Sequence, residues 1–192
     1  MEPLDVVRLA VSKLDKLGIP YMVAGSFTSS LYGFGRSTQD ADLVVAMKPD
    51  KVQAFVKSFE GEFYVDRGSV ERALRLGTSF NVIHFELSFK IDLFVLRERP
   101  YDQECFLRRR LEAIDPGSGA EAYVQSPEDT VLSKLEWYSR GGGVSEIQWR
   151  DVLGILKTQG TKLDTAYLRR WARELGLNSL LDKAVREAGP AE

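Results

Sequence analysis

A chain of 192 residues, 44% hydrophobic and 28% charged, holds enough apolar material for one core or for one core with a small appendage, and its balance is that of a globular protein rather than a disordered, fibrous or membrane-bound one. Its 26 basic and 28 acidic residues leave a net charge of -2, so charge alone provides no strong nonspecific pull on nucleic acid. With a single histidine, His84, and a single cysteine, Cys105, a histidine dyad, a His-rich metal site, a zinc cluster and an internal disulfide are excluded, and carboxylates remain as the main chemical groups.

Leu4, Val7, Val11 and Leu14 recur at helical spacing, with Pro3 suited to the first turn and Gly18 to the end, which predicts an amphipathic helix over residues 3 to 17. The apolar run Tyr21-Met22-Val23-Ala24 then reads as a buried strand that stops at Gly25-Ser26, a pair suited to a tight turn opening a helix. Backbone N–H groups at a helix N-terminus attract anions such as phosphate. A short helical segment, Phe27 to Tyr32, is closed by Gly33 and Gly35, and Gly35-Arg36-Ser37-Thr38-Gln39 leads into a second strand, Asp40-Ala41-Asp42-Leu43-Val44-Val45. Side chains alternate along a strand, so Asp40 and Asp42 share one face about 6 to 7 Å apart. Two like charges that close repel, and a divalent cation relieves the repulsion; Mg²⁺ in particular is commonly held by one or two carboxylates together with substrate phosphates.

Beyond Pro49-Asp50, the spacing of Val52, Phe55, Val56 and Phe59 predicts a covering helix over Lys51 to Phe59. A short strand over Glu62 to Val65 precedes a charged helical piece carrying Arg67, Arg72 and Arg75. Ser79 to Leu87 and Phe89 to Leu96 read as two strands, either antiparallel neighbours or one long bent strand. Asp92 stands alone among Ile91, Leu93, Phe94 and Val95; an ionised carboxylate there is costly to bury unless it is paired or binds metal. A short helix is expected over Tyr101 to Leu111, a linker at Asp115-Pro116-Gly117-Ser118-Gly119, a last strand at Ala122 to Gln125, and helices over Pro127 to Arg140, Ser145 to Gln159, Asp164 to Leu175 and Asn178 to Ala188. No apolar run approaches the roughly 18 residues that span a bilayer, and Met1-Glu2-Pro3-Leu4-Asp5 lacks the regions of a signal peptide, so the expectation is a cytoplasmic protein without membrane contact.

Gly25-Ser26, a helix, and Asp40-x-Asp42 on a strand resemble the signature of the nucleotidyltransferase superfamily related to DNA polymerase beta. That family carries a third acidic residue on a neighbouring strand, which Asp92 matches. Gly25-x12-Thr38-x-Asp40-x-Asp42-Leu43, with Arg36 two residues before the Thr, resembles the minimal and AbiEii-type branch, some members of which are toxins of toxin–antitoxin pairs; Ser126-Pro127-Glu128-Asp129, Lys134-Leu135 and Trp149-Arg150-Asp151-Val152 resemble its helical half. The resemblance implies an α+β fold, a mixed sheet flanked by helices over residues 1–118, with a C-terminal helical subdomain over 119–192. It implies a nucleoside triphosphate donor, Mg²⁺ held by Asp40, Asp42 and Asp92 as the catalytic carboxylates, and phosphate contacts from Gly25, Ser26, Arg36 and Lys134. The acceptor is left open among RNA, protein and small molecules, as is an antitoxin or toxin partner.

Each residue also has a plainer reading. Asp40 and Asp42 are a solvated pair ahead of a strand, and Asp92 an edge-strand carboxylate paired with Lys90 or an arginine. Gly25 is a turn glycine and Ser26 a helix cap. Arg36 either clamps phosphates or pairs with a carboxylate, Thr38 holds the loop, Lys134 is solvated, and Arg150-Asp151 is a salt bridge between the two halves. His84 is a hydrogen-bonded core or surface residue, and Cys105 a small buried one. A non-catalytic nucleotide- or partner-binding protein that keeps this fold is the alternative to the transferase.

Overall fold

A computed structural model describes residues 1–35, 40–115 and 119–189. Arg36 and Thr38 lie outside the described residues. The elements run α1 (Pro3–Lys16), β1 (Tyr21–Ala24), α2 (Gly25–Tyr32), β2 (Asp40–Val45), α3 (Val52–Phe59), β3 (Phe63–Val65), α4 (Arg67–Leu76), β4 (Ser79–His84), β5 (Lys90–Val95), α5 (Pro100–Leu107), β6 (Arg110–Asp115), β7 (Ala120–Val124), α6 (Pro127–Arg140), α7 (Glu146–Gln159), α8 (Thr165–Glu174) and α9 (Asn178–Ala188). This is an α+β fold with a mixed sheet flanked by helices. Among the described residues no helix is long and apolar enough to cross a membrane.

The chain forms two compact units, Met1–Ala24 with Thr38–Val124, and Gly25–Ser37 with Gln125–Glu192. All seven strands belong to the first, in the order β3-β4-β5-β2-β1-β7-β6. β2 pairs antiparallel with β1 and parallel with β5, and β5 pairs antiparallel with β4. The two runs around Asp92 are thus antiparallel neighbours, and β5 lies inside the sheet, not at an edge. One face of β2 and β5 is packed: Ala41, Leu43, Val45, Ile91 and Leu93 are buried, together with Val82 on β4. Against that interior lie the apolar stripe of α1 (Val7, Val11, Leu14) and the aromatics of α3, where Phe55 and Phe59 stack with ring centroids 4.3 Å apart. His84 is buried in the same core, edge-on to Phe63. Its Nδ1 accepts a hydrogen bond from the Leu87 N–H, in line with a satisfied core histidine.

Two expectations fail here. The helix expected over Tyr101 to Leu111 stops at Leu107, and Arg110–Asp115 is a strand antiparallel to β7. The Asp115 to Gly119 segment therefore connects a hairpin rather than linking two halves; its residues 116–118 lie outside the described set.

The second unit is helical. Pro127 opens α6 in the first turn and the Ser126 hydroxyl caps it, accepting from the Asp129 N–H. Ser145 caps α7 and Asp164 caps α8 in the same way. Several polar groups inside this unit are paired: the Tyr167 hydroxyl donates to Asp129 at 2.6 Å, and Glu128 accepts from the Asp164 N–H at 3.0 Å. α2 packs on α6 and α7 with little room. A Cβ at Gly33 would stand 2.9 Å from the Ile155 backbone nitrogen, and one at Gly154 would stand 3.0 Å from the Phe34 ring.

Candidate functional site

In the first unit, strand alternation and register together decide where the carboxylates fall. Along β2, Ala41, Leu43 and Val45 point into the core, so Asp40, Asp42 and Val44 occupy the opposite, half-exposed face. β5 repeats the pattern, burying Ile91 and Leu93 and leaving Lys90, Asp92 and Phe94 half-exposed. Because the strands are parallel and in register, Asp42 sits beside Asp92 and Asp40 beside Lys90, one strand spacing apart, about 4.8 Å. Two rows thus cross the sheet: Asn81, Asp92, Asp42 and Ala24, and next to it Ile83, Lys90 and Asp40. All three predicted carboxylates share one face of two adjacent central strands.

Lys90, named in the sequence only as a pairing partner for Asp92, is part of this face. Its Nζ lies 2.6 Å from Asp92 Oδ2, with side-chain exposures of 41% and 22%. The hydrogen bond to Asp92 comes first, and the charges of Asp92, Asp40 and Asp42 follow, in holding the ammonium above the ordinary lysine range. The pairing of Asp92 with Lys90 in the plainer reading is therefore present, though on an interior strand. A signal for it did exist: i and i+2 on a strand share a face.

Among the described residues no group of three or more His, Cys, Asp or Glu side chains is placed so that it could hold a metal ion. The donor set still has the chemistry of an Mg²⁺ site, hard carboxylate oxygens on half-exposed positions of neighbouring strands. One Asp92 oxygen is engaged by Lys90.

The other predicted residues lie in the second unit. Gly25 opens α2 with φ of 66°, a left-handed value that a residue with a Cβ adopts at a cost. The N–H groups of the first turn have no acceptor within the helix, the feature that makes such a turn a cradle for anions. Ser29, one turn on, is buried. Its hydroxyl lies 3.2 Å from the Gly25 carbonyl oxygen, 3.1 Å from that of Ser26 and 3.0 Å from Asp151 Oδ2. Asp151 Oδ2 in turn lies 2.8 Å from Lys134 Nζ, and both side chains are about 5% exposed.

Lys134, expected on the triphosphate, is thus engaged in a buried ion pair. The Arg150-Asp151 salt bridge is not formed: Arg150 is exposed, and Asp151 bonds α6 and α2 instead. Neighbours at i and i+1 on a helix point about 100° apart, so one of two adjacent charges faces inward while the other faces water. Ser29 and Asp151, 122 residues apart, carry no local sign of their pairing.

No protein-family model matches the chain, and no curated protein is similar to it. Solved structures are. An antigenic nucleotidyltransferase-like protein from Paracoccidioides brasiliensis is 20% identical, with 100% of this chain and 94% of that one covered at a TM-score of 0.56. The antibiotic-resistance factor ANT(2'')-Ia is 13% identical in its solution structure, covering 96% of this chain and 97% of its own at 0.58. In a crystal complex with adenylyl-2''-tobramycin it is 12% identical, covering 89% and 97% at 0.56. The chain has the fold of the nucleotidyltransferase superfamily.

Proposed function

We propose that the protein is a metal-dependent nucleotidyltransferase that moves a nucleoside monophosphate from a nucleoside triphosphate to an acceptor. One observation carries this reading: Asp40, Asp42 and Asp92 lie on one half-exposed face of two parallel, in-register strands, where three like charges have no packing purpose. Asp40, Asp42 and Asp92 would hold Mg²⁺, which when bound neutralises charge on the triphosphate and on the attacking oxygen. The acceptor oxygen bonds to the α-phosphorus, pyrophosphate leaves, and Asp92 helps accept the acceptor's proton. Gly25 and Ser26 contact the β and γ phosphates through backbone N–H and hydroxyl. Lys134 supports that loop through Asp151 and Ser29, and Arg36 clamps phosphate or fixes its loop. Catalysis in this scheme is positioning and charge neutralisation.

The acceptor belongs to one of three classes: RNA, protein or a small hydroxylated molecule. The adenylylated tobramycin held by the similar ANT(2'')-Ia structure supports the third. A place in a toxin–antitoxin pair, and a partner protein with it, rests on the sequence resemblance alone, as does a cytoplasmic location. The second reading, a nucleotide- or partner-binding protein without turnover, is favoured by the Lys90–Asp92 ion pair, which occupies one of the three carboxylates.

Calorimetric titration of ATP, GTP, CTP and UTP, with Mg²⁺ and with EDTA, separates these readings. We expect one nucleotide to bind only with Mg²⁺, and Asp40→Ala combined with Asp42→Ala to weaken it at least about 100-fold, or about 2.7 kcal/mol. Incubation of the same labelled nucleotide with cell extract then identifies the acceptor. Metal-independent binding with no labelled product would leave the second reading standing.

A further inference from the structure

We propose that Asp151 is a positioning residue for the turn that Gly25 and Ser26 begin: its carboxylate takes the Ser29 hydroxyl away from the backbone of α2 and so fixes the shape of that turn for a phosphate. The proposal rests on the reading of Gly25 and Ser26 as phosphate contacts. Ser29 is buried, and its hydroxyl has one proton and three oxygens in reach: the Gly25 carbonyl at 3.2 Å, the Ser26 carbonyl at 3.1 Å and Asp151 Oδ2 at 3.0 Å. Asp151 is the strongest acceptor of the three, because a hydrogen bond to an ionised group is roughly twice as strong as one between neutral groups. The proton therefore goes to Asp151. Without that acceptor it returns to a carbonyl one turn back, a bond that competes with the helical ladder and bends the helix.

The surroundings suit this role. Asp151 and Gln159 lie on one side of α7, two turns apart, and Gln159 Nε2 donates to the Tyr32 carbonyl at 2.9 Å. Thus α7 holds α2 one turn from its start and again at its last residue. Lys134 joins from α6, with its Nζ 2.8 Å from Asp151 and both side chains buried. A buried ion pair is weak evidence for stability, since apolar residues of similar volume often replace one without loss. Position accounts for this pair where stability does not: it sets a strong acceptor beside the one hydroxyl that would otherwise back-bond within the first turn of α2.

The test compares two neutral double variants of the full chain, Lys134→Met with Asp151→Asn and Lys134→Met with Asp151→Leu. Both lack the ion pair, so both lose equally any contact that Lys134 itself makes with phosphate. Only the first keeps an oxygen for Ser29. Affinity for inorganic tripolyphosphate, with neither metal nor nucleotide present, is read by calorimetry, and thermal unfolding compares their stability. The Asn variant should bind at least about tenfold more tightly than the Leu variant, the size of one hydrogen bond, at similar unfolding temperatures. Equal affinity overturns the proposal. Should the Leu variant fail to fold, Ser29→Ala replaces it, deleting the same hydrogen bond from the other side; it should bind about tenfold more weakly than wild type, and wild-type affinity overturns the proposal as well. If wild type binds tripolyphosphate and the variants match, only the role of Asp151 falls. If wild type does not bind it, the reading of Gly25 and Ser26 falls too.

Discussion

Tyr21 begins β1 almost fully buried, 2% exposed, with its hydroxyl 3.4 Å from Asp15. Burial first, and the Asp15 charge second, push its pKa up from 10.0 to about 12. The native state then holds the phenolic proton through a range where the unfolded chain has released it. The contribution is complete below pH 10 and is lost as pH rises from 10 to about 12, on the order of 2 kcal/mol. Tyr21→Phe removes the titrating group, so the urea midpoint of wild type should fall relative to that variant across this window; parallel curves would show that the phenol titrates alike in both states. At this scale the sequence was most legible where chemistry follows a short period. Asp40 and Asp42 are two apart on a strand, and Asp92 interrupts an apolar run, so their common face could be read without coordinates. The same rule puts Lys90 on the face of Asp92, the pairing that the plainer reading named. The Lys134–Asp151–Ser29 chain could not be read this way, because its partners are set by how α2, α6 and α7 cross, not by spacing.

Elements with strong periodicity, such as α1, α6 and α9, fall close to where the spacing predicts them. β6 does not. Its residues are mostly exposed, it lies at the sheet edge, and its Arg-Leu-Glu-Ala sequence is good helix material, so only pairing with β7 makes it a strand. α2 is short and weakly amphipathic, and the tightness of its seat on α7 is equally invisible in sequence. A methyl group at Gly33 would strike backbone atoms of Ile155 and Ser29 at 2.9 Å, and backbone cannot swing aside as a side-chain tip can. Gly33→Ala should cost about 1 to 3 kcal/mol in urea unfolding. Gly61→Ala, where a Cβ meets nothing within 4 Å, is the control and should stay within about 0.5 kcal/mol of wild type. Equal effects at both positions would mean that the helix crossing yields.

At the scale of the molecule, the chain crosses between its two units more than once. The expected boundary at residue 118 assigned Gly25 to Tyr32 to the sheet half by sequence order alone. Contacts group that segment with residues from 125 onward, and they group β7 with the sheet. A chain ending at Val124 would keep every strand yet strip α2 of α6 and α7, the source of the Asp151 bond to Ser29 and the Gln159 bond to the Tyr32 carbonyl. Ser29 and Tyr32 are buried in the full chain and would be left without those partners. We expect this shortened chain to aggregate or to melt without a cooperative transition in calorimetry; a sharp transition near that of the full chain would show that the sheet half folds alone.

The same crossing has a temporal side. Ser29 and Asp151 are 122 residues apart. At synthesis rates of about 5 to 20 residues per second, α2 emerges from the ribosome roughly 6 to 24 s before its partner exists. During that interval the strands on either side of α2 in sequence can pair, whereas α2 gains its bond to Asp151 only once more than three quarters of the chain has been made.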